Sequence, residues 1–351
     1  MTVRRPRTAG PLRIAVTGGA TGLGAALLER LAARTDLTLL VGLDGAPGAP
    51  DGVQSRRRGG LEEQLTGVTT VVHLAPPQDA LAGPVARRAL TVDSTAALLQ
   101  ASRAAGVRRV VLLSSAEVYG AHPGLALPAA ENVPLLAAPG DSLTGAMVEL
   151  ERLADHAGRT GLEVAVLRPT AVIGARLGAA YDGGLLLSLA GARLLAVRGV
   201  EPLWQLCHVE DLLSALELVA VTPVTGGLVV ASDGWLTQRE VERLSGRRRL
   251  ELPAAVAIST AERLHRVGVT PGSPSELDRL QHPLVLQTAR LRALGWTPGW
   301  TAADALAVHL ELRAGSGRAG ALASGATAAG ATVALTVTAA LVRRARARRG
   351  R

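Results

Sequence analysis

The sequence predicts an α/β protein built on a doubly wound parallel sheet, with a smaller C-terminal domain and an apolar C-terminal helix. Short apolar runs alternate with stretches of helical spacing, which is typical of parallel strands covered by helices on both faces. The first run leads into a glycine-rich turn that opens a helix, the arrangement that begins a Rossmann-type βαβ unit. With 351 residues and 48% hydrophobic content, the chain is long enough to bury a large core.

The elements follow in order along the chain. Strands are predicted at residues 12–16, 37–43, 69–74, 109–113 and 163–167, and helices at 23–31, 92–105 and 147–159. Beyond Pro169 the pattern loosens into shorter helices at 209–219, 238–244 and 253–267. We therefore divide the chain into a flexible basic leader (1–11), a larger α/β domain (12–168) and a smaller domain (169–310) partly interleaved with it.

The excess of positive charge lies at the two ends of the chain. The net charge is +9, and Arg4, Arg5 and Arg7 together with six arginines after residue 342 account for all of it. A nucleic-acid groove needs a basic face along the fold, so the neutral middle argues against nucleic acid as a partner. The single cysteine, Cys207, excludes an internal disulfide and a cysteine-based zinc site, which agrees with a cytoplasmic protein.

Residues 319–342 hold no charge and precede an Arg-rich tail at 343–351. As a helix they would be about 36 Å long, enough for the ~30 Å hydrocarbon core of a bilayer. Gly, Ser and Thr weaken the segment, because they interrupt its few strong membrane formers. Two interpretations stay open: a tail or helix that packs on the domain, and a helix at the inner face of the membrane with its arginines on anionic headgroups.

The turn at residues 17–24, TGGATGLG, has the features of a phosphate site. Gly18 would permit the turn, Gly22 the close approach of a pyrophosphate, and Gly24 the packing of the helix. Unpaired N–H groups and the helix dipole favour an anion at this N-terminus. Thr17 and Leu23 complete the predicted cofactor contacts of the turn.

Asp44 ends the second predicted strand, at the position that sets the choice between NAD and NADP. A carboxylate there can accept both hydroxyls of the adenosine ribose and would repel a 2′-phosphate. The sequence therefore predicts NAD, with NADP less favoured, bound by residues 12–168, and a substrate domain over 169–310. Residues 56–58, three arginines, could reverse this preference if their loop folds back.

Several segments resemble the extended short-chain dehydrogenase/reductase family, the NAD-dependent epimerases and dehydratases. Residues 71–75 (VVHLA) are similar to its fourth-strand cofactor motif, 114–120 (SSAEVYG) to its active-site strand end, and 168–174 (RPTAVIG) to its segment beside the nicotinamide. Residues 208–211 (HVED) and 294–298 (LGWTP) are similar to later motifs, so the resemblance spans residues 12–310. It implies cofactor contacts from five residues: Leu74, Ala75, Ser114, Arg168 and Pro169.

The chain departs from the family at the residues that move protons. Leu143 and Met147 stand where the family has the Tyr and Lys of its Tyr-xxx-Lys motif, in an alignment that continues through Glu151. In the family, Tyr moves a proton to or from the substrate oxygen, while Lys lowers the phenol's pKa from about 10 and holds the nicotinamide ribose. The chain contains no lysine, and neither Tyr119 nor Tyr181 begins a Tyr-xxx-Lys or Tyr-xxx-Arg pattern.

Three groups are candidates for the missing proton chemistry. Ser115 matches the family's hydroxyl that hydrogen-bonds the reacting oxygen, Glu117 falls where the sugar dehydratases carry Glu, and Asp141 precedes the helix. Alternatively, Ser115 caps the strand end and Glu117 is a solvated or salt-bridged loop acid. No metal site is predicted, because the imidazole of the motif at 208–211 has no second imidazole at helical spacing.

Two functions stay open at this point. The first is an epimerase/dehydratase-like protein with weak or altered oxidoreductase or isomerase activity on a sugar nucleotide or a related hydroxyl or carbonyl substrate. The second is a non-catalytic NAD(H)-binding sensor or scaffold, with or without membrane association through residues 319–342. The resemblance also suggests a homodimer that pairs through the helix carrying Met147.

Overall fold

The computed structural model describes residues 11–19, 22–43, 50–56, 59–74, 84–140, 142–174, 194–256 and 282–323. Several predictions fall outside these ranges, namely those for Asp44, Ala75, Asp141 and Tyr181 and for residues 257–267 and 324–342.

A seven-stranded parallel sheet forms the centre of the fold. Its strands are β1 (Leu12–Val16), β2 (Leu37–Leu43), β3 (Val53–Arg56), β4 (Thr70–His73), β5 (Arg109–Leu113), β6 (Glu163–Pro169) and β11 (Gly226–Val230). They lie in the order β11-β6-β5-β4-β1-β2-β3. The strands that follow β1 are added first on one side of it and then, from β4 onward, on the other, so the strand order reverses between β1 and β4. Doubly wound sheets bind ligands at the carboxyl ends of the strands at such a switch point.

The five predicted strands are confirmed, while β3 and β11 were not predicted. β3 is short and partly exposed along its length, so it lacks an apolar run. β11 begins with two glycines and pairs in parallel with β6, which makes it an edge strand of the main sheet although it lies far along the chain.

Helices cover both faces of the sheet. They are α1 (Gly22–Ala32), α2 (Leu61–Gln64), α3 (Pro84–Arg88), α4 (Ser94–Ala104), α5 (Leu143–Arg159), α6 (Val209–Val221), α7 (Gln238–Ser245), α8 (Ala289–Ala293) and α9 (Ala302–Ala323). Leu27 of α1 and Leu212 of α6 belong to the core cluster on one face. Leu98 of α4 and Leu150 of α5 belong to the cluster on the other face. A π-helical turn, Ala89–Asp93, precedes α4.

Three two-stranded sheets and a third core cluster form the smaller part of the fold. They pair β7 (Ala171–Ile173) with β10 (Leu206–His208), β8 (Leu194–Val197) with β13 (Arg249–Leu252), and β9 (Leu203–Trp204) with β12 (Leu236–Thr237). Trp204 is fully buried in this cluster, and α9 packs on it through Leu306. Within the described residues, no helix combines the length and apolar character that a bilayer crossing requires.

The segment that follows residue 282 returns to the main sheet. The buried Glu131 carboxylate accepts the N–H of Val229 at 2.9 Å and that of Arg290 at 2.7 Å. Gln205 holds both backbone groups of Leu286, donating to its carbonyl at 2.8 Å and accepting its N–H at 2.9 Å. Distant parts of the chain are therefore joined by side chains that reach buried backbone groups.

Candidate functional site

The glycine-rich turn connects β1 to α1 at the switch point of the sheet. Gly18 has φ of 69°, a left-handed conformation that glycine adopts without steric cost. A Cβ on Gly24 would lie 2.0 Å from the carbonyl oxygen of Gly18, so only glycine allows the helix to pack this closely. Gly22 is exposed at the first position of α1, and Leu23 anchors that turn in the core with 2% exposure.

Thr17 ties the end of β1 to the end of β4. Its N–H donates to the carbonyl of Val72 at 3.0 Å, and its hydroxyl accepts the N–H of Leu74 at 3.1 Å. The hydroxyl also lies 2.8 Å from Nδ1 of His73. Thr17 and Leu74, both predicted to contact the cofactor, are thereby brought together at the carboxyl edge.

Ser114 and Ser115 follow β5 at the same edge and differ in their bonding. Ser114 donates its N–H to the carbonyl of Leu167 at 2.8 Å, while its buried hydroxyl has no hydrogen-bond partner within the described part of the chain. The Ser115 hydroxyl accepts the N–H of Glu117 at 3.2 Å and so caps the 3-10 turn Ala116–Tyr119. A hydroxyl that accepts still has its own proton to donate, so capping does not remove Ser115 from the candidates.

Helix α5 has apolar side chains at the two positions where the family carries its proton-transfer pair. Ser142 caps α5 by accepting the N–H of Gly145 at 2.9 Å, so the helix begins at Leu143. Met147, one turn further on, is 8% exposed and belongs to the core, and Leu143 packs against the same cluster. Neither side chain offers a proton or a charge.

Arg168 lies at the end of β6 in a buried network. Its Nε and Nη2 donate to the two carboxylate oxygens of Glu151 at 2.8 and 2.9 Å. Its Nη1 donates to the Tyr119 hydroxyl at 2.8 Å. Burial alone would lower the pKa of Arg168, but the Glu151 carboxylate outweighs it and raises the pKa. The guanidinium is thus engaged inside the protein, which leaves the backbone of Arg168 as its means of contacting a cofactor.

Tyr119 cannot take the place of the missing catalytic tyrosine. Its side chain is 1% exposed, and its hydroxyl donates to the Glu131 carbonyl at 2.8 Å while it accepts from Arg168. Burial raises the pKa of this phenol despite the nearby guanidinium. The ring and hydroxyl therefore serve the internal network.

Pro169 and Thr170 complete the edge beside β5. Pro169 pairs with Val230 of β11, and the Thr170 N–H donates to the Val230 carbonyl at 3.0 Å. The Thr170 hydroxyl is buried and, among the described residues, has no hydrogen-bond partner. Sequence reasoning did not single out Thr170, because a threonine after Arg-Pro gives no signal of its own.

His208 and Asp211 have structural partners. His208 caps α6, accepting the N–H of Glu210 on Nδ1 at 3.3 Å, and its ring stacks on Trp300 with 3.8 Å between centroids. Burial lowers the pKa of His208. Asp211 accepts from the Ser232 hydroxyl at 2.7 Å and the Gly299 N–H at 2.6 Å, and burial raises its pKa although these bonds oppose the shift.

Fold and site together define a dinucleotide-binding protein of the Rossmann type that has a phosphate turn but no tyrosine or lysine on its α5 helix. The sequence model of the NAD dependent epimerase/dehydratase family matches residues 14–230. The chain belongs to this NAD-dependent family, which confirms the resemblance drawn from its motifs.

Two relatives are similar to this chain in sequence. The uncharacterized protein Rv0501 of Mycobacterium tuberculosis is 29% identical over 316 residues, covering 84% of this chain and 82% of the relative. The 3-diazoavenalumate denitrifying reductase of a Streptomyces species is 34% identical over 148 residues, covering 41% of this chain and 47% of the relative.

Solved structures share the fold. MoeE5 in complex with UDP-glucuronic acid and NAD has a TM-score of 0.60 at 24% identity, covering 87% of this chain and 99% of that chain. The DesIV dTDP-glucose 4,6-dehydratase of Streptomyces venezuelae, a double mutant with NAD and DAU bound, has a TM-score of 0.62 at 22% identity, covering 88% of this chain and 98% of that chain.

Proposed function

We propose that this chain binds NAD(H) across the carboxyl edge of its sheet and carries out slow hydride chemistry on a hydroxyl or carbonyl substrate, such as a sugar nucleotide, held by Ser115. The observation that carries the proposal is the close packing of Gly24 on the left-handed Gly18, with 2.0 Å between a Cβ at residue 24 and the Gly18 oxygen. With that packing we expect the N–H groups of Gly22 and Leu23, at the start of α1, to bind the pyrophosphate.

The other residues at the edge fit the same ligand. Thr17 and Leu74 close the space between β1 and β4, and the Ser114 hydroxyl is a buried polar group that a ligand would satisfy. We assign the adenosine ribose to Asp44 and the nicotinamide side of the site to Ala75 and the backbone of 168–169, as the resemblance implies. When bound, the nicotinamide supplies a hydride acceptor or donor.

Arg56 supports NAD over NADP. Its Nη1 donates to the carbonyls of Gln64 at 2.8 Å and Thr66 at 2.9 Å, so the guanidinium would have to give up these bonds to contact a 2′-phosphate. Within residues 56–58, Arg56 is the arginine that the structure describes, so the alternative in which this loop favours NADP stays a prediction.

Ser115 is the residue we assign to the substrate oxygen, with Glu117 two residues further on as the acid or base. Loss of a positioned acid or base typically reduces a rate by about 10²- to 10⁴-fold, which is why we propose slow turnover. The Streptomyces relative is by name a reductase, which agrees with hydride chemistry in this group.

One observation favours a second function, NAD(H) binding without turnover, as a sensor or scaffold. Leu143 and Met147 are packed into the hydrophobic core, so the apolar replacement belongs to the folded structure itself. A protein that reads the NAD/NADH ratio needs the cofactor site but not the proton-transfer pair.

Calorimetric titration of the full-length protein with NAD, NADH and NADPH tests the shared part of both functions. We expect micromolar binding of NAD and NADH, abolished by Gly22→Arg, which fills the phosphate space. Addition of UDP-glucose, UDP-glucuronic acid or dTDP-glucose, followed by absorbance of NADH and by chromatography of the sugar nucleotide, then separates the two, because a redox-neutral conversion returns the hydride and leaves no NADH. Turnover that is lost in Ser115→Ala supports the enzyme, whereas binding without turnover supports the sensor. No binding by the folded wild type would refute both.

A further inference from the structure

Three buried polar side chains and the carbonyl of Thr91 connect the glycine-rich turn to the π-helical turn before α4. Thr17 is 7% exposed, His73 is 4% exposed, and Thr91 and Thr95 are fully buried. His73 lies between them, with Nδ1 2.8 Å from the Thr17 hydroxyl and Nε2 3.2 Å from the Thr95 hydroxyl. The Thr95 hydroxyl in turn donates to the Thr91 carbonyl at 2.6 Å.

The direction of these hydrogen bonds follows from counting protons. Thr95 has one hydroxyl proton, and because it goes to Thr91, the hydroxyl must accept from His73 Nε2. In a neutral imidazole with its proton on Nε2, Nδ1 is an acceptor. The Thr17 hydroxyl therefore donates to Nδ1 at 2.8 Å, the nearer of its two possible acceptors, since the Leu74 carbonyl lies at 3.3 Å. Its lone pairs accept the Leu74 N–H at 3.1 Å.

We propose that His73, as the neutral Nε2–H tautomer, is a positioning residue that fixes the phosphate turn against the end of β4. Thr17 is the residue before Gly18, and Leu74 is the last described residue before the predicted cofactor contact at Ala75. The imidazole sets the rotation of the Thr17 hydroxyl, and that hydroxyl holds Leu74. This inference rests on the proposed function, because it concerns the same dinucleotide site. π-Helical turns such as Ala89–Asp93 frequently occur at functional sites.

Binding of ADP-ribose and of adenosine separates positioning from general stability. Thr17→Val removes the hydroxyl at nearly constant volume, and we expect roughly tenfold weaker ADP-ribose binding, about 1.4 kcal/mol. Thr17→Ser should restore binding, and His73→Phe should weaken it as Thr17→Val does. Adenosine has no pyrophosphate, so its affinity should stay within about twofold. Ser102→Ala is the matched control, since it removes a buried hydroxyl on α4 that has no partner in the described residues.

The Thr17→Val/His73→Phe double variant tests whether the two residues act together. We expect ADP-ribose binding no weaker than in the poorer single variant, because both changes remove the same contact. Equal affinity in the wild type and both single variants, or losses that simply multiply, would overturn the inference. If the folded wild type binds neither NAD nor ADP-ribose, the proposed function fails, and the inference fails with it.

Nitrogen-15 NMR of the imidazole reads the tautomer directly in the ligand-free wild type, which keeps the test valid even if a variant does not fold. A proton on Nε2 and none on Nδ1 is the expected result for His73. The opposite tautomer would overturn the proposed direction of the hydrogen bonds among Thr17, His73 and Thr95, whatever the affinities show.

Discussion

Replacing Glu151 with alanine removes the partner of a buried guanidinium. The Arg168 and Glu151 side chains are 11% and 7% exposed and share two hydrogen bonds of 2.8 and 2.9 Å. Hydrogen bonds to charged groups contribute about 1.5–3 kcal/mol each, and breaking a buried pair costs about 3–5 kcal/mol because one charge stays behind. Tyr119 keeps its bond to Arg168, so we expect Glu151→Ala to lower the free energy of unfolding by about 3 kcal/mol.

Urea denaturation followed by tryptophan fluorescence measures this loss. Asp155→Ala is the control, because the Arg159–Asp155 pair on the same helix is 67% and 62% exposed and should contribute about 0–1 kcal/mol. Glu151→Met combined with Arg168→Met should be less destabilised than Glu151→Ala, since no unpaired charge remains. A loss for Glu151→Ala no larger than that of the control would refute the reasoning.

Three further predictions concern the site and its supports. Gly24→Ala should abolish NAD binding and lower the melting temperature, because its Cβ would lie 2.0 Å from the Gly18 oxygen. Gly158→Ala, whose Cβ would have nothing within 4 Å, should not destabilise the protein. Equal behaviour of the two variants in calorimetry and thermal unfolding would contradict this prediction. Met147→Ala should lower the free energy of unfolding by about 2–4 kcal/mol through the cavity it leaves, and a loss near zero in denaturant would show that the site is not packed. Burial lowers the pKa of His208, so the free energy of unfolding should fall as the pH drops below 6.5, the ordinary pKa of histidine. The fall should be smaller in His208→Asn. Parallel pH profiles of the melting temperature for the two proteins would contradict this prediction.

The main sheet was predictable because its interior strands are continuous apolar runs. Strands β1, β2 and β5 have the predicted bounds, and the turn after β1 has the glycine geometry expected of it. By contrast, β11 could not be predicted, since its first residues are glycines and its place in the sheet depends on pairing with β6 from sixty residues away. An apolar run in the sequence shows that a strand is buried, but it does not show which strand lies beside it.

The site was predictable to different extents for different residues. The loss of Tyr and Lys could be inferred from the sequence, because the chain contains no lysine and neither Tyr119 nor Tyr181 begins a Tyr-xxx-Lys pattern. The engagement of Arg168 with Glu151 could not, because it depends on how α5 crosses β6. Membrane association of residues 319–342 and pairing of two copies through α5 stay predictions.

The Glu131 carboxylate has a consequence for synthesis on the ribosome. Its two N–H donors, Val229 and Arg290, leave the exit tunnel about sixty residues apart, and Glu131 is 8% exposed in the complete fold. Residues 14–230, the span of the family match, therefore emerge with a carboxylate that still lacks one of its two donors. Completion of the native sheet edge must await the translation of the segment around Arg290, so a nascent chain stalled before it would hold this edge incompletely bonded.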